Sequence, residues 1–166
     1  RPMTIEQQRE LLGMLSELEQ RFEVVVIDTA AGIGNTVIGF AVRSHEALVV
    51  TTPEPTSVMD AYALVKLITV ADRMVPVKLV VNGARTSEEA EETARKLQLA
   101  VRHFLQRHIH YLGFIPHDLH VVKSVARQNP VVQEFPFSSA ARSFSTLAET
   151  LLDQVEHARG RRFETV

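Results

Sequence analysis

The chain contains no cysteine and no tryptophan. Missing thiols exclude a disulfide framework, cysteine-ligated zinc, iron–sulfur clusters and thiol catalysis together. An excess of one charge is also missing: 18 Lys and Arg stand against 20 Asp and Glu, a net charge of −2 with histidine neutral. No strong basic field is available to grip nucleic acid without sequence preference, and no specific nucleic-acid partner is expected. Long hydrophobic runs are absent as well; the apolar stretches stop after about six residues, against the roughly 20 that a membrane helix needs. With no signal-peptide pattern in the 166 residues, the expected setting is a reducing cytoplasm. What remains is ample core material, since 45% of the residues are hydrophobic, enough for one folded domain and too much for disorder.

The arrangement of that material is regular. Residues 4 to 21 predict an amphipathic helix, with Thr4 as N-cap, Gln7 at the capping-box position, and Ile5, Leu11, Leu12, Leu15, Leu18 and Phe22 near helical period. Val24 to Ile27 is a continuous β-branched run ending in Asp28, the pattern of a strand buried on both faces. The same signature returns at Ala47 to Thr52, Val77 to Asn82 and Tyr111 to Ile115. Helices are expected over 33–43, from Thr56 to about Ala71 with Thr56 or Ser57 as cap, from Ser87 to about Arg107, over 118–127, and from Ser139 to about Ala158. Strands alternating with helices define an α/β class: a doubly wound, mostly parallel sheet with flanking helices. The expected organisation is a single α/β domain over 1–166, itself incomplete, with 159–166 as a flexible tail.

In open parallel sheets ligands bind beyond the carboxyl ends of the strands. Four loops occupy such places: Asp28-Thr29-Ala30-Ala31-Gly32, Thr51-Thr52-Pro53-Glu54-Pro55, Asn82-Gly83 and Ile115-Pro116-His117-Asp118. An acidic residue closing a buried strand, followed by small residues and glycine, is the Walker B pattern. Asp28 in that role holds Mg²⁺, directly or through water, because this cation demands hard oxygen ligands. Ala30, Ala31 and Gly32 lack bulk, so a backbone N–H can approach a γ-phosphate. The competing reading makes Asp28 a strand-end residue that caps the next helix. For Asn82 the competing reading is an ordinary Asn-Gly turn.

Taken together, VVVIDTAAGIG, ALVVTTPEPTSVMDAYALVKLI, VVNGAR and YLGFIPHDLHVVKSVARQNPVV resemble the MinD/ParA class of deviant-Walker ATPases, over nearly all of residues 20–152. The TTPEPTSVMDAYALVK stretch and the AAGIG turn are most similar to its flagellar-number branch, FlhG, also called FleN or YlxH. The resemblance implies a P-loop NTPase fold, with ATP and Mg²⁺ as cofactors. It implies Asp28 as the magnesium-side carboxylate and Ala31 and Gly32 as the switch turn beside the γ-phosphate. It implies Asn82 as reader of the adenine edge, Pro116 in the loop that packs on the base, and Thr52, Pro53 and Glu54 in a loop facing nucleotide and dimer seam. Thr56, Ser57 and Asp60 match a surface used for dimer or partner contacts.

The implied activity is an ATP-dependent dimerisation switch governing the number or placement of flagella. The implied partners are a second copy bridged by ATP, the flagellar GTPase FlhF, components of the flagellar switch, a flagellar transcription activator, and peripheral contact with the inner face of the cell membrane. MinD-type division-site and ParA-type partition ATPases are the neighbouring alternatives. A non-catalytic ATPase-like module that binds proteins through Thr52 to Asp60 is the alternative from another class.

One part of the pattern is missing. No Gly-Lys pair occurs, and Gly32 to Gly39 contains no lysine, so no phosphate loop is present in these 166 residues. Because the sequence starts at Arg1 rather than Met, the expectation is an amino-terminally truncated piece that does not hydrolyse ATP alone. It is also expected to expose a sheet edge prone to strand exchange. His103 and His108 are five apart, a spacing that does not share a helix face for metal binding. The tail after Val155 has only Ala158, Phe163 and Val166 as apolar residues, too few for a membrane-binding helix.

Overall fold

Three of the four β-branched runs become strands. The computed structural model describes residues 13–163 apart from 16 and 19, and for 155–163 the backbone alone. The described elements are α1 (Asn35–Ala41), β1 (Ala47–Thr51), α2 (Pro55–Ala71), β2 (Val77–Ala84), α3 (Ser87–Leu105), β3 (His110–Pro116), α4 (Leu119–Ala126), α5 (Val131–Glu134) and α6 (Ser139–Phe163). The strands form one parallel sheet in the order β1-β2-β3. The register pairs Ala47 with Val77 and Thr51 with Val81, then Val81 with Phe114 and Asn82 with Ile115.

Helices pack on both faces, as the doubly wound expectation requires. On one face Val49, Leu79 and Val81 meet Ala61, Val65 and Ile68 of α2 and Ala90, Ala94, Leu97 and Val101 of α3. Those helical positions recur at intervals of three and four, which brings them onto one stripe. On the other face Val80 and Ile115 pack with Ala140 of α6, supported by Leu112, Val121 and Leu147. β2 lies between two strands and two helical layers, so Val77 to Val81 are buried without interruption. Its buried Lys78 is neutralised by Glu46 at 2.6 Å. Beneath the sheet Arg107 is buried and donates to the Thr69 hydroxyl and to the Val75 carbonyl, locking the end of α3 to the end of α2.

The run Val24 to Ile27 corrects an expectation. Residues 24–30 carry no ladder hydrogen bonds, Val24 is 42% exposed and Val26 87%. A strand apolar on both faces needs a bonded neighbour at each edge and helices above and below. The described residues provide neither, so the segment forms no ladder. The outer edge of β1 is likewise unpaired among the described residues, and its uncovered face exposes Leu48 and Val50.

Helix boundaries differ in instructive ways. α2 begins at Pro55 with Glu54 at the N-cap, so Thr56 and Ser57 lie inside the helix rather than capping it. Proline suits this first position because its fixed φ is helical and its missing N–H would have had no partner. α3 is capped by Thr86, whose hydroxyl accepts the Glu89 N–H, while Glu89 accepts the Arg85 N–H. The four-residue α5 was not foreseen. α6 runs to Phe163, past the expected end near Ala158; residues 164–166 lie outside the described residues. Of the expected helix over 4–21, residues 4–12, 16 and 19 also lie outside them, and the described remainder is helical.

Gly113 marks the tightest passage between β3 and α6. Its φ is +147°, and an added Cβ would stand 3.0 Å from Leu147 Cδ2. Gly113→Ala combines backbone strain with a steric contact and is expected to lower stability by about 2 kcal/mol, read as a shift of the urea midpoint. Glu46→Ala leaves the Lys78 ammonium buried without a partner and is expected to cost about 2 kcal/mol in the same measurement, more than Glu46→Gln.

Candidate functional site

Parallel register gathers three of the four strand-end loops at one rim. Because Thr51 stands opposite Val81 and Val81 opposite Phe114, the next residues along, Thr52, Asn82 and Ile115, share a level. A register shift at Asn82–Ala84 then sets Pro116 opposite Ala84, and the His117 N–H donates to the Ala84 carbonyl at 2.8 Å. This bond ties the Pro116 loop to the loop after Asn82.

Each loop is held by its own polar contacts. The Ser57 hydroxyl accepts the Thr52 N–H at 2.9 Å and lies 3.0 Å from the Thr51 hydroxyl, so the first turn of α2 is stitched to the end of β1. The Thr52 hydroxyl itself is buried with no hydrogen-bond partner among the described residues. Pro53 is half-buried and Glu54 exposed. Asn82 keeps its strand pairing with its side chain exposed at the rim, and β2 runs on to Ala84. Gly83, at φ +75°, sits in the register shift, so the Asn-Gly pair forms an irregularity within the strand rather than a turn.

The third loop has the most elaborate support. Asp118 accepts the His120 N–H at 2.9 Å, which caps α4. Its second oxygen accepts the Ser139 hydroxyl at 2.9 Å and the Ala140 N–H at 3.0 Å from the start of α6. The His120 ring nitrogen lies 2.8 Å from the first oxygen, and the ring packs on Phe135. The Asp118 side chain is only 7% exposed. Donation from Ala140, then from His120, holds its carboxyl well below the usual carboxylate range, against the opposing effect of burial. An Asp immediately before the Leu119 helix start is a local capping signal, but its partners on α6 lie 21 and 22 residues downstream, beyond any local pattern.

The fourth loop is separate. Asp28, Ala31 and Gly32 are all exposed and follow irregular backbone rather than a strand. Gly32 has φ +117° and open space where a Cβ would stand. No described group of three or more His, Asp or Glu could hold a metal by itself, so a cation at Asp28 needs phosphate and water oxygens as well. The residues present therefore fit a nucleotide in part. A polar ligand at the rim would meet the Asn82 side chain, Pro116 and the orphaned Thr52 hydroxyl, whereas Asp28 and the Gly32 turn come without the lysine of a phosphate loop.

A parallel sheet with helices on both faces and polar strand ends at one rim is consistent with the α/β architecture of the MinD/ParA class, and by sequence similarity this chain belongs to that class. Within it the chain is FlhG-like. It is 37% identical over 139 residues to the antiactivator FleN of Pseudomonas aeruginosa, covering 84% of this chain and 50% of that protein. It is 29% identical to the flagellum site-determining protein YlxH of Helicobacter pylori, over 87% of this chain and 47% of that one. It is 28% identical to the septum site-determining protein MinD of Bacillus subtilis, over 87% of this chain and 53% of that one. No family model matches. The chain spans about half the length of these relatives. Among the described residues no helix is long and apolar enough to cross a membrane.

Asp118 has a testable signature. A carboxyl whose folded pKa is depressed stabilises the fold above its unfolded pKa and loses that contribution as pH falls toward the folded value. Asp118→Asn is expected to cost about 1 kcal/mol at pH 7, and the gap to the unaltered protein should close between pH 5 and pH 2 in denaturation titrations. A gap independent of pH over that interval would show that the charge does not matter.

Proposed function

We propose that the complete protein is an ATP-dependent dimerisation switch of the FlhG type, an ATPase that governs the number or placement of flagella. The observation that carries this reading is the meeting of Thr52, Asn82 and Pro116 at the carboxyl ends of three parallel strands. The relatives' names, antiactivator FleN and flagellum site-determining YlxH, support the flagellar branch over MinD-type division-site and ParA-type partition roles.

In this reading Asn82 offers the adenine edge both a donor and an acceptor, and Pro116 lies against the base. Asp28 would hold Mg²⁺ through its carboxylate, and the cation when bound would supply neutralisation of charge on the phosphates. Ala31 and Gly32 let backbone N–H groups approach the terminal phosphate. Thr52, Pro53 and Glu54 face the nucleotide and the seam between two copies. ATP then favours the paired state, and hydrolysis releases it. The partners that follow are the flagellar GTPase FlhF, flagellar switch components or a flagellar transcription activator, with peripheral membrane contact; the antiactivator name favours the activator.

A second reading, a non-catalytic module that docks proteins, is favoured by the exposed first turns of α2. Thr56 and Asp60 are exposed there beside Met59, 71% exposed.

Two measurements on the complete protein separate these readings. Asp28→Asn is expected to lower ATP turnover at least a hundredfold with the melting temperature nearly unchanged; undiminished turnover would remove Asp28 from the site. Asn82→Ala is expected to weaken ATP binding about tenfold and to erase preference over GTP. If the unaltered protein binds neither nucleotide, the docking module is the better account.

A further inference from the structure

The loop that carries Pro116 is short, and its position depends on what grips its far end. Asp118 is that grip. One carboxylate joins three elements: the end of β3, the first turn of α4 through the His120 N–H, and the first turn of α6 through Ser139 and the Ala140 N–H. On the near side the His117 N–H is bonded to the Ala84 carbonyl, two residues past Asn82. The segment between Pro116 and Asp118 is thus clamped from both directions, and Asn82 and Pro116 are held in one fixed relation.

We infer that Asp118 is a positioning residue for the nucleotide base: without touching the ligand, it sets the gap between Asn82 and Pro116 and thereby the selectivity for adenine. The inference rests on the proposed nucleotide site and adds a residue to it. Asp118 is unsuited to a direct role. Both its oxygens are occupied and its side chain is 7% exposed, so it has little left to offer a ligand. Its four donors come from two sequence-distant regions, so losing the carboxylate frees the loop from α6 while the strand pairing of β3 stays intact. A loop free to drift by about 1 Å is enough to degrade a geometric preference for one base. The conservative variant separates geometry from charge. Asparagine retains a carbonyl acceptor for one of the two clusters of donors, and alanine retains none.

The experiment measures ATP and GTP dissociation constants of the complete protein, by competition with a fluorescent ATP analogue, for Asp118→Ala, Asp118→Asn, Ser139→Ala, Asn82→Ala and Gly113→Ala. Measurements are made at least 15 °C below each melting temperature. Asp118→Ala should lose about tenfold in ATP affinity and most of the ATP over GTP preference. Asp118→Asn should recover at least half of that preference, and Ser139→Ala, which removes a single donor, should lose about threefold. Gly113→Ala, destabilised at a distance from the rim, should keep the full preference. The positioning role is overturned if Asp118→Ala retains the preference while Asn82→Ala loses it, or if Gly113→Ala loses it to the same extent. It is also overturned if Asp118→Ala does not fold and both Asp118→Asn and Ser139→Ala bind as the unaltered protein does. If Asn82→Ala binds ATP and GTP normally, the base-site reading itself fails, and the inference falls with it.

Discussion

The parallel pairing of β2 with a strand on each side is the constraint on which everything else rests. β2 is the one described strand bonded at both edges and covered on both faces, so its register decides which residues reach the carboxyl rim together. A slip of one residue would turn every side chain to the opposite face, moving Leu79 and Val81 out of the α2–α3 layer and Val80 out of the α6 layer. The buried Lys78 fixes that register from below, because its ammonium must find Glu46 at the start of β1. The rim is thus a product of the core: Thr52, Asn82 and Pro116 meet because Val49, Leu79 and Ile115 are packed where they are.

Much of this was legible in the residues. The runs at Ala47, Val77 and Tyr111 are apolar on both faces, and only the interior of a parallel sheet accommodates that pattern. The polar residue ending each run then had to lie at the carboxyl rim. What the residues could not reveal were contacts between distant stretches. Ser57 reads as a helix cap or a surface hydroxyl, yet it bonds to Thr51 and Thr52, because Pro55 already starts the helix and leaves the serine within its first turn. Asp118 reads as a strand-end loop residue, and its grip on Ser139 and Ala140 depends on how α6 returns across β3. Where α6 crosses β3, about two turns past Ala140, the missing side chain of Gly113 leaves room for Leu147.

Val24 to Ile27 shows where composition misleads. Its residues match those of β1 and β2, and local propensity alone would make it a strand. Strands are cooperative with their neighbours: a β-branched run gains ladder hydrogen bonds and side-chain packing only when another strand lies beside it. β1 has such a neighbour on one edge, and 24–27 has none among the described residues, so equal propensity yields a ladder in one case and irregular backbone in the other.

The three strand-end loops and the Asp28 segment accordingly differ in kind. At the rim every loop is fixed by bonds within this chain: Thr52 by Ser57, the end of β2 by His117, and the Pro116 loop by Asp118. Asp28 and Gly32 instead follow a segment with no ladder hydrogen bonds. Under the proposed nucleotide reading, contacts already in place at the rim would favour selectivity, since little ordering is required on binding. Contacts at Asp28 formed only on binding would favour switching, since they would exist only while the ligand is whole.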